Sequence, residues 1–156
     1  MQDLHRQRGW ESPCLLGRNT MDQNAQVIRD YFEARNRNDE SDEIFIARDF
    51  IRKSPPELHG LDGYRSWKTA LRRMWADEVW NILDMISSGD QVWVWLTNES
   101  THVGEWNGLP PAKARVRFET VNIFTVRNGK ITELWRIADD WSRVKQLGGQ
   151  VAWPSA

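Results

Sequence analysis

The sequence predicts an α+β domain in which helices pack on one face of a strongly curved antiparallel sheet. Between Asp22 and about residue 76, apolar residues recur at helical spacing, whereas from Val79 onward they alternate with a period of two. The Asn128-Gly129 pair is a strong hairpin signal between two alternating segments. A bent sheet covered by helices encloses a cone, and the mouth of such a cone suits a small molecule.

Three helices are predicted before the sheet and one after it. The first follows Asp22, which is a favourable N-cap residue. A short second helix around 44–47 gives way to an extended stretch, because the Pro55-Pro56 pair disfavours helical geometry in the residue before each proline. The third helix runs from about Asp62 to Trp75, and the last covers 140–147.

The alternation within the strands predicts which side chains face the core. In the strand at 91–103, Val92 and Val94 alternate with Trp93 and Trp95, so the two tryptophans point away from the apolar side. The next strand presents a second alternating set: Val116, Phe118, Thr120, Asn122 and Phe124. We expect both sets to line the concave face of the sheet.

Composition limits the classes of partner. The 156 residues suit one domain, and the balance of 21 Lys plus Arg against 22 Asp plus Glu leaves a formal charge of −1. That balance disfavours binding to nucleic acid or to an anionic membrane through bulk charge. No apolar stretch approaches the roughly 20 residues of a membrane-spanning helix. Ten tryptophans are an unusually large share, and they must cover a core, a ligand or a partner.

The chain is divided into a domain at 22–148, an N-terminal arm at 1–21 and a C-terminal tail at 149–156, because neither end shows helical or strand periodicity. The single cysteine, Cys14, cannot form an internal disulfide. The polar first residues do not resemble a secretory signal, so we expect a cytoplasmic protein. The three scattered histidines make no metal-ligand spacing, and the sequence contains no nucleotide-binding glycine motif.

Several short motifs occur in an order that is typical of one family. They are Asn36-Arg37-Asn38-Asp39, Gly89-Asp90-Gln91-Val92, Thr101-His102-Val103-Gly104-Glu105-Trp106, Asn128-Gly129-Lys130-Ile131, Glu133-Leu134-Trp135 and Gln146-Leu147-Gly148. Together they resemble the SnoaL-like polyketide cyclases, which belong to the cone-shaped superfamily that includes nuclear transport factor 2 and ketosteroid isomerase. The resemblance covers about Asn24 to Gly148. It implies an NTF2-like fold and an enzyme that closes a ring by aldol chemistry without a cofactor.

The resemblance also implies two catalytic residues. It places a general acid/base at Asp139, four residues after Trp135, and a histidine that faces the cavity at His102. Asp139 shares a strand face with Trp135, and an apolar cavity on that face would raise the pKa of its carboxyl group. Asp139 could instead cap the helix that follows, since Asp is a favoured N-cap. His102 could be a hydrogen-bonded core histidine.

Five residues are candidates for substrate binding. Trp135 and Trp106 could form flat walls, or they could simply pack in the core or at the rim. Tyr31 lies on the first helix, where the isomerase branch of the superfamily carries a hydrogen-bonding tyrosine, although an ordinary core tyrosine fits equally. Lys53 replaces a histidine of the family and could bind an acidic oxygen or extend to the rim. Asn122 is a polar residue on the concave face.

Three functions and one partner remain open. The first function is a cyclase or isomerase that acts on a hydrophobic polyketide-like or terpenoid-like intermediate. The second is a dehydratase or epoxide hydrolase, which in this superfamily uses carboxylates with an arginine between them; Arg115 and Arg117 should face outward and would not serve. The third is a binding module without catalysis. The outer face with Trp93 and Trp95 predicts a homodimer.

Overall fold

A computed structural model of the chain describes residues 17–150, with side chains from Gln23 onward. The helices are α1 (Gly17–Asn36), a 3-10 helix (Ser41–Phe45), α2 (Gly60–Met74) and α3 (Asp140–Gln146). The strands are β1 (Ile46–Arg52), β2 (Leu58–His59), β3 (Trp75–Ser88), β4 (Gln91–His102), β5 (Arg115–Arg127) and β6 (Lys130–Ala138). The predicted α+β cone, with helices against a curved sheet, is confirmed. Within the described residues, no helix is both long and apolar enough to cross a bilayer.

The first helix begins earlier than the sequence predicted. Asp22 lies inside α1, which begins at Gly17, so its assignment as the N-cap is wrong. The part of the predicted arm at 17–21 therefore belongs to the helix. The rest of the arm, 1–16, and residues 151–156 of the tail lie outside the described residues.

The sheet has the strand order β2-β1-β6-β5-β4-β3. All neighbouring strands are antiparallel except β1 and β6, which run parallel, so the sheet is mixed. The sequence predicted a helix that includes Ala47, but the 3-10 helix ends at Phe45 and Ala47 lies in β1. This strand was missed because its partner, β6, is about eighty residues away, and no local pattern reports such a pairing.

The apolar core lies between α1 and the concave face of the sheet. Ile28 and Phe32 of α1 pack in one cluster with Val92, Val94 and Phe124. Full burial of an aliphatic or aromatic side chain of this kind stabilises a fold by about 1.5–3 kcal/mol. The predicted alternation of β4 and β5 is confirmed, so their inward faces are set by the sequence pattern.

The turn between β5 and β6 has the geometry that its sequence demands. Asn128 and Gly129 have φ angles of +52° and +71°, which are the left-handed values of a type I′ turn. The pairing of β5 with β6 is irregular beside this turn, at Thr125 and Val126 of β5. As a result, Ile131 and Leu134 of β6 are both buried although they are three residues apart. The bulge therefore shifts the alternation of β6 by one residue, so that even-numbered residues face inward after it and odd-numbered residues before it.

Candidate active site

The concave face of β4 changes from apolar to polar along the strand. After Val92, Val94 and Leu96, the next three inward residues are Asn98, Ser100 and His102, each no more than 1% exposed. Ser100 Oγ donates a hydrogen bond to Asn98 Oδ1 at 3.0 Å, and this contact directs Asn98 Nδ2 away from Ser100. Buried polar side chains of this kind are normally fully hydrogen-bonded, so a ligand-binding region is expected where they are not.

Four arginines from four different elements extend across this polar end: Arg52 of β1, Arg35 of α1, Arg136 of β6 and Arg143 of α3. The Trp67 ring lies between the first two, 5.3 and 5.5 Å from the Cζ atoms of Arg52 and Arg35. Trp80 lies between Arg35 and Arg136, at 5.7 and 5.8 Å. Phe118 lies between Arg136 and Arg143, at 5.6 and 4.2 Å. We call these seven side chains the arginine row.

Local structure holds the rings of this row in place. Trp80 and Asn98 are opposite one another on β3 and β4, and Phe118 is opposite Asn98 on β5. The Asn36 side chain at the end of α1 forms two 2.8 Å hydrogen bonds with the backbone N and O of Trp80. The alternation of three neighbouring strands therefore brings an indole, an amide and a phenyl ring to one place on the concave face.

Several donor atoms at the centre of the site have no hydrogen-bond partner among the described residues. The buried unpaired atoms include Arg35 Nη1, Arg52 Nε, Trp80 Nε1, Asn98 Nδ2 and Arg136 Nε. Each buried donor without an acceptor costs about 1–3 kcal/mol. Because all five side chains donate and none of these atoms accepts, the site is suited to the oxygen atoms of a ligand.

Glu78 is the carboxylate that faces the arginine row. Its Oε2 lies 3.2 Å from Arg35 Nη2, and its side chain is only 18% exposed. The preceding residue, Asp77, has a φ of +53° within a register irregularity of β3, and this local bulge turns Glu78 toward Arg35. The negative charge of Glu78 also acts on Arg136 and Arg143, whose pKa values burial lowers. Glu78 is therefore a central group of the site.

A second buried carboxylate, Asp42, lies on the other side of Arg35. Asp42 Oδ2 is 4.0 Å from Arg35 Nη1, and Asp42 Oδ1 accepts a hydrogen bond from Lys68 Nζ at 2.5 Å. The Tyr64 hydroxyl also donates to Asp42 and lies 3.2 Å from that of Tyr31. Burial raises the pKa of Tyr64 well above its ordinary value, so the phenol stays protonated and able to donate. Arg35 thus lies between two carboxylates.

Access to this region is narrow in the present conformation. The cavity beside the Arg35–Glu78 pair has a volume of only about 10 Å³, which is room for one water molecule. Its walls include Asn38, Lys68 and Arg72. A larger ligand must therefore displace the side chains at this opening or reach the interior by another route.

His102 faces the interior, as the sequence predicted. Its Nδ1 accepts a hydrogen bond from the backbone N of Ala112 at 3.2 Å, so a neutral His102 carries its proton on Nε2. Nε2 is buried and has no partner among the described residues, and the ring lies 4.9 Å from that of Trp75. The proton on Nε2 would be available to polarise an oxygen. The catalytic role of His102 stays a prediction.

Asp139 does not face the cone. It is exposed, and its Oδ1 accepts a hydrogen bond from Ser142 N at 2.9 Å as the N-cap of α3. Trp135 is on the same outer face and is 46% exposed, so its expected role as a cavity wall is also wrong. The reason is the bulge in the β5–β6 pairing, beyond which Leu134 and Arg136 point inward and Trp135 points outward. The expected burial of the Asp139 carboxyl group is wrong.

The cap makes a testable contribution to stability. Asp139→Ala should lower the free energy of unfolding by about 1 kcal/mol, because it removes the acceptor for the first turn of α3. Asp139→Ser, which keeps a capping oxygen, should recover most of the loss. Urea denaturation followed by circular dichroism measures both. An unchanged stability in the alanine variant would contradict a capping role.

Lys53 also lies outside the cone. Its Nζ contacts Glu133 Oε2 at 2.6 Å, and this ion pair lowers the pKa of the Glu133 carboxyl group. The preceding residue, Arg52, is buried and donates to the backbone oxygens of Ser54 and Pro56 at 2.8 and 2.7 Å. The structure thus brings Arg52 rather than Lys53 to the interior, so the expectation that Lys53 binds substrate loses its geometric basis.

The remaining three candidates are buried. Tyr31 is a core tyrosine, whose hydroxyl lies against that of Tyr64. Trp106 packs in a separate cluster at one end of the sheet, with the Arg143 guanidinium 4.3 Å from its ring centre, and this is the packing role considered for it. Asn122 faces the interior opposite Arg136, and its Oδ1 accepts a hydrogen bond from Thr120.

Glu78 and the arginine row were not among the residues predicted from the sequence. Arg136 alternates with Trp135 on β6, so assigning Trp135 to the outer face would have placed Arg136 inside. Arg52 was not assigned to a face of the sheet, because β1 was not predicted as a strand. Glu78 has no comparable signal, because its direction depends on the left-handed Asp77. For the two arginines the missing information was a register between distant strands, and for Glu78 it was the backbone conformation of its neighbour.

Comparison with known proteins identifies the family and the fold of the chain. A family model for the SnoaL-like polyketide cyclases matches residues 25–147. A candidate SnoaL-like polyketide cyclase from Jannaschia sp. CCS1 is 16% identical, with a TM-score of 0.74 over 92% of this chain and 100% of its own. IdmH of Streptomyces antibioticus, a candidate polyketide cyclase, is 25% identical, with a TM-score of 0.68 over 81% of this chain and 99% of its own. AclR of Streptomyces galilaeus, a candidate hydroxylase, is 20% identical, with a TM-score of 0.74 over 86% and 90%. No curated protein matches the sequence.

Proposed function

Because the chain belongs to the family of SnoaL-like polyketide cyclases, we propose that it is a cofactor-independent cyclase or isomerase. Its substrate would be a hydrophobic biosynthetic intermediate, of polyketide or terpenoid type, that binds inside the cone. The reaction would proceed by general acid/base catalysis, in which a proton leaves the carbon next to a carbonyl group. The observation that carries this proposal is the set of unpaired buried donors along the arginine row.

Those donors match the needs of an enolate. When a proton leaves the α-carbon, negative charge develops on the carbonyl oxygen, and preorganised donors stabilise it more strongly than water does. Asn98 Nδ2 and Trp80 Nε1 are such donors. One donor of this kind is typically worth about 2.7–4 kcal/mol of barrier.

Glu78 is the group that we assign to proton transfer. The resemblance placed this role on Asp139, but that carboxylate is exposed and capped to α3. Glu78 is largely buried and paired with Arg35 beside the unpaired donors. Proton transfer by a positioned carboxylate contributes about 10²–10⁴-fold to a rate.

The proposal can be tested without the natural substrate. A flat ketone such as 2-tetralone is incubated with the purified protein in D₂O, and deuterium exchange at its α-carbon is followed by NMR. Exchange that is faster than in buffer alone, and is saturable in ketone, is the expected result. Binding of the ketone without any exchange would instead favour a binding module, for which a capping rather than a catalytic Asp139 is expected.

Hydration or dehydration, including epoxide opening, is the second candidate function. It is favoured by one observation, which is that Arg35 lies between the carboxylates of Asp42 and Glu78 at 4.0 and 3.2 Å. Arg115 and Arg117 face outward, as predicted, and lie 3.7 and 4.0 Å from Glu99. Incorporation of ¹⁸O from water into a product diol would distinguish epoxide opening from proton exchange at carbon.

We further propose that the outer face of the sheet forms a homodimer. Trp93 and Trp95 are 48% and 46% exposed, and hollows of about 150 and 300 Å³ lie beside Trp95. The same patch carries the protruding side chains of Ile86 and Ile137. An isologous interface requires knobs and hollows on one surface, and this face has both.

The dimer is expected to depend on these tryptophans. Light scattering at micromolar protein concentration should give twice the chain mass, and Trp95→Lys should give the monomer mass, because the interface would bury a lysine against its counterpart. Ile44→Lys is the matched control, since Ile44 is an exposed apolar residue of the 3-10 helix, away from this face. A wild-type monomer would count against the proposal.

A further inference from the structure

Two arginines in the interior have no carboxylate partner. Arg52 is buried and donates only to backbone oxygens, those of Ser54 and Pro56. Arg136 has no hydrogen bond and no ion pair within 4.0 Å to any side chain in the part of the chain at 23–150. Its Nε is nevertheless buried. Charges inside proteins are normally paired, because the loss of hydration is costly.

The other cations of the region have their own carboxylates. Arg35 pairs with Glu78, Lys68 pairs with Asp42, and Arg143 donates to Asp140. The unpaired positive charge is therefore confined to Arg52 and Arg136. Burial, together with the positive charges of Arg143 and Arg52, lowers the pKa of Arg136 to about 10. Arg52 is opposite Leu134 in the β1–β6 pairing, two residues from Arg136, so the fold holds the two like charges on neighbouring strands.

Neutral donors lie beside this excess charge. Asn122 is opposite Arg136 in the sheet, and Trp80 is in cation–π contact with Arg136 at 5.8 Å. Trp80 Nε1 and Asn98 Nδ2 are buried without acceptors. Asn98 cannot turn its amide oxygen to the site, because that oxygen accepts the hydrogen bond from Ser100. The neighbourhood of Arg136 therefore contains positive charge and donors, which is the complement of an anionic oxygen group.

We propose that the cone binds its ligand through a carboxylate group that is held by Arg136 and Arg52. The inference rests on the proposed function and deepens it, since it names a polyketide-like acid, rather than its neutral ester, as the substrate class. A planar guanidinium can form two parallel hydrogen bonds with a carboxylate. The apolar part of the ligand would extend toward Leu96 and Val94, the apolar residues that precede Asn98 on the same face of β4.

Direct binding tests the carboxylate. Isothermal titration calorimetry compares 2-naphthoate, methyl 2-naphthoate and 2-naphthyl phosphate, which share one flat ring system, on the full chain. We expect the acid to bind at least tenfold more tightly than the ester. Equal affinities for acid and ester, or no binding of the acid, would overturn the proposal. Tighter binding of the phosphate than of the acid would overturn the choice of carboxylate.

Matched variants locate the binding group. Arg136→Gln should weaken the binding of 2-naphthoate at least tenfold and leave the ester unchanged. Arg127→Gln is the control, because Arg127 is an exposed arginine of the same sheet that pairs with Asp90. Equal effects of the two substitutions would overturn the assignment to Arg136.

Thermal stability separates ligand binding from a structural role. Without ligand, Arg136→Met should raise the melting temperature, because it removes an unpaired, half-buried charge while keeping the apolar stem. A fall in melting temperature would mean that Arg136 holds the fold together, and it would overturn the proposal. If the variant does not fold, the comparison of acid and ester on the wild-type protein still decides. The comparison of acid and ester measures binding without turnover, whereas the ketone exchange assay measures proton transfer. Failure of the carboxylate proposal can therefore be distinguished from failure of the proposed function.

Discussion

Replacing Asp42 with asparagine is expected to lower the free energy of unfolding by about 3–5 kcal/mol. Asp42 is 0% exposed, accepts hydrogen bonds from Lys68 and Tyr64, and lies 4.0 Å from Arg35. An amide keeps the shape but removes the negative charge, so the buried Lys68 ammonium loses its compensating partner. Either the Tyr64 hydroxyl or the Lys68 ammonium would then face the NH₂ group of asparagine instead of an oxygen.

Urea denaturation followed by circular dichroism measures this loss. Asp62→Asn is the matched control, because the Asp62 side chain is 97% exposed, and its substitution should change the stability by no more than about 0.5 kcal/mol. A loss below 1 kcal/mol in the Asp42 variant would contradict the prediction. In that case the Asp42–Lys68 contact would contribute no more to the free energy of unfolding than an exposed ion pair does.

A double substitution tests the physical cause. Asp42→Leu combined with Lys68→Met removes both charges and replaces them with apolar side chains. Exchanging a buried ion pair for well-packed apolar residues is often neutral or stabilising, whereas removing one partner is not. We therefore expect the double variant to be more stable than Asp42→Asn. If it is equally unstable, the hydrogen bond from Tyr64 carries most of the contribution of Asp42.

Replacing Glu78 with glutamine is expected to reduce the rate of α-proton exchange by about 10²–10⁴-fold, the range that positioned general acid/base groups contribute. Glutamine has nearly the same shape and keeps an oxygen that can accept from Arg35 Nη2, now 3.2 Å from Glu78. The fold should therefore survive, and the loss should fall on the maximal rate rather than on ketone binding. NMR-detected exchange of 2-tetralone measures both quantities.

Asp139→Asn is the matched control, since it makes the same carboxylate-to-amide change on the outer face. Asparagine is also a good N-cap, so α3 should be kept. We expect less than a tenfold loss of exchange rate in this variant. If Asp139→Asn abolishes exchange and Glu78→Gln does not, proton transfer belongs to Asp139, as the family resemblance implied, and Glu78 only pairs with Arg35.

The sequence by itself determined the local elements and which residues share a face. The period-two pattern of β4 correctly separated Val92 and Val94 from Trp93 and Trp95, and Asn128-Gly129 correctly located the hairpin. The same pattern correctly placed His102 on the inward face of β4. These predictions succeeded because periodicity and turn geometry depend on a few neighbouring residues.

Only the tertiary structure decided which face of β6 is covered and which charged groups meet. A single bulge opposite Thr125 and Val126 moved Asp139 outside and Arg136 inside. The parallel pairing of β1 with β6 brought Arg52 to the interior, and the left-handed Asp77 turned Glu78 toward Arg35. Local periodicity groups residues by side, but the choice of the buried side depends on registers between strands that are far apart in the chain.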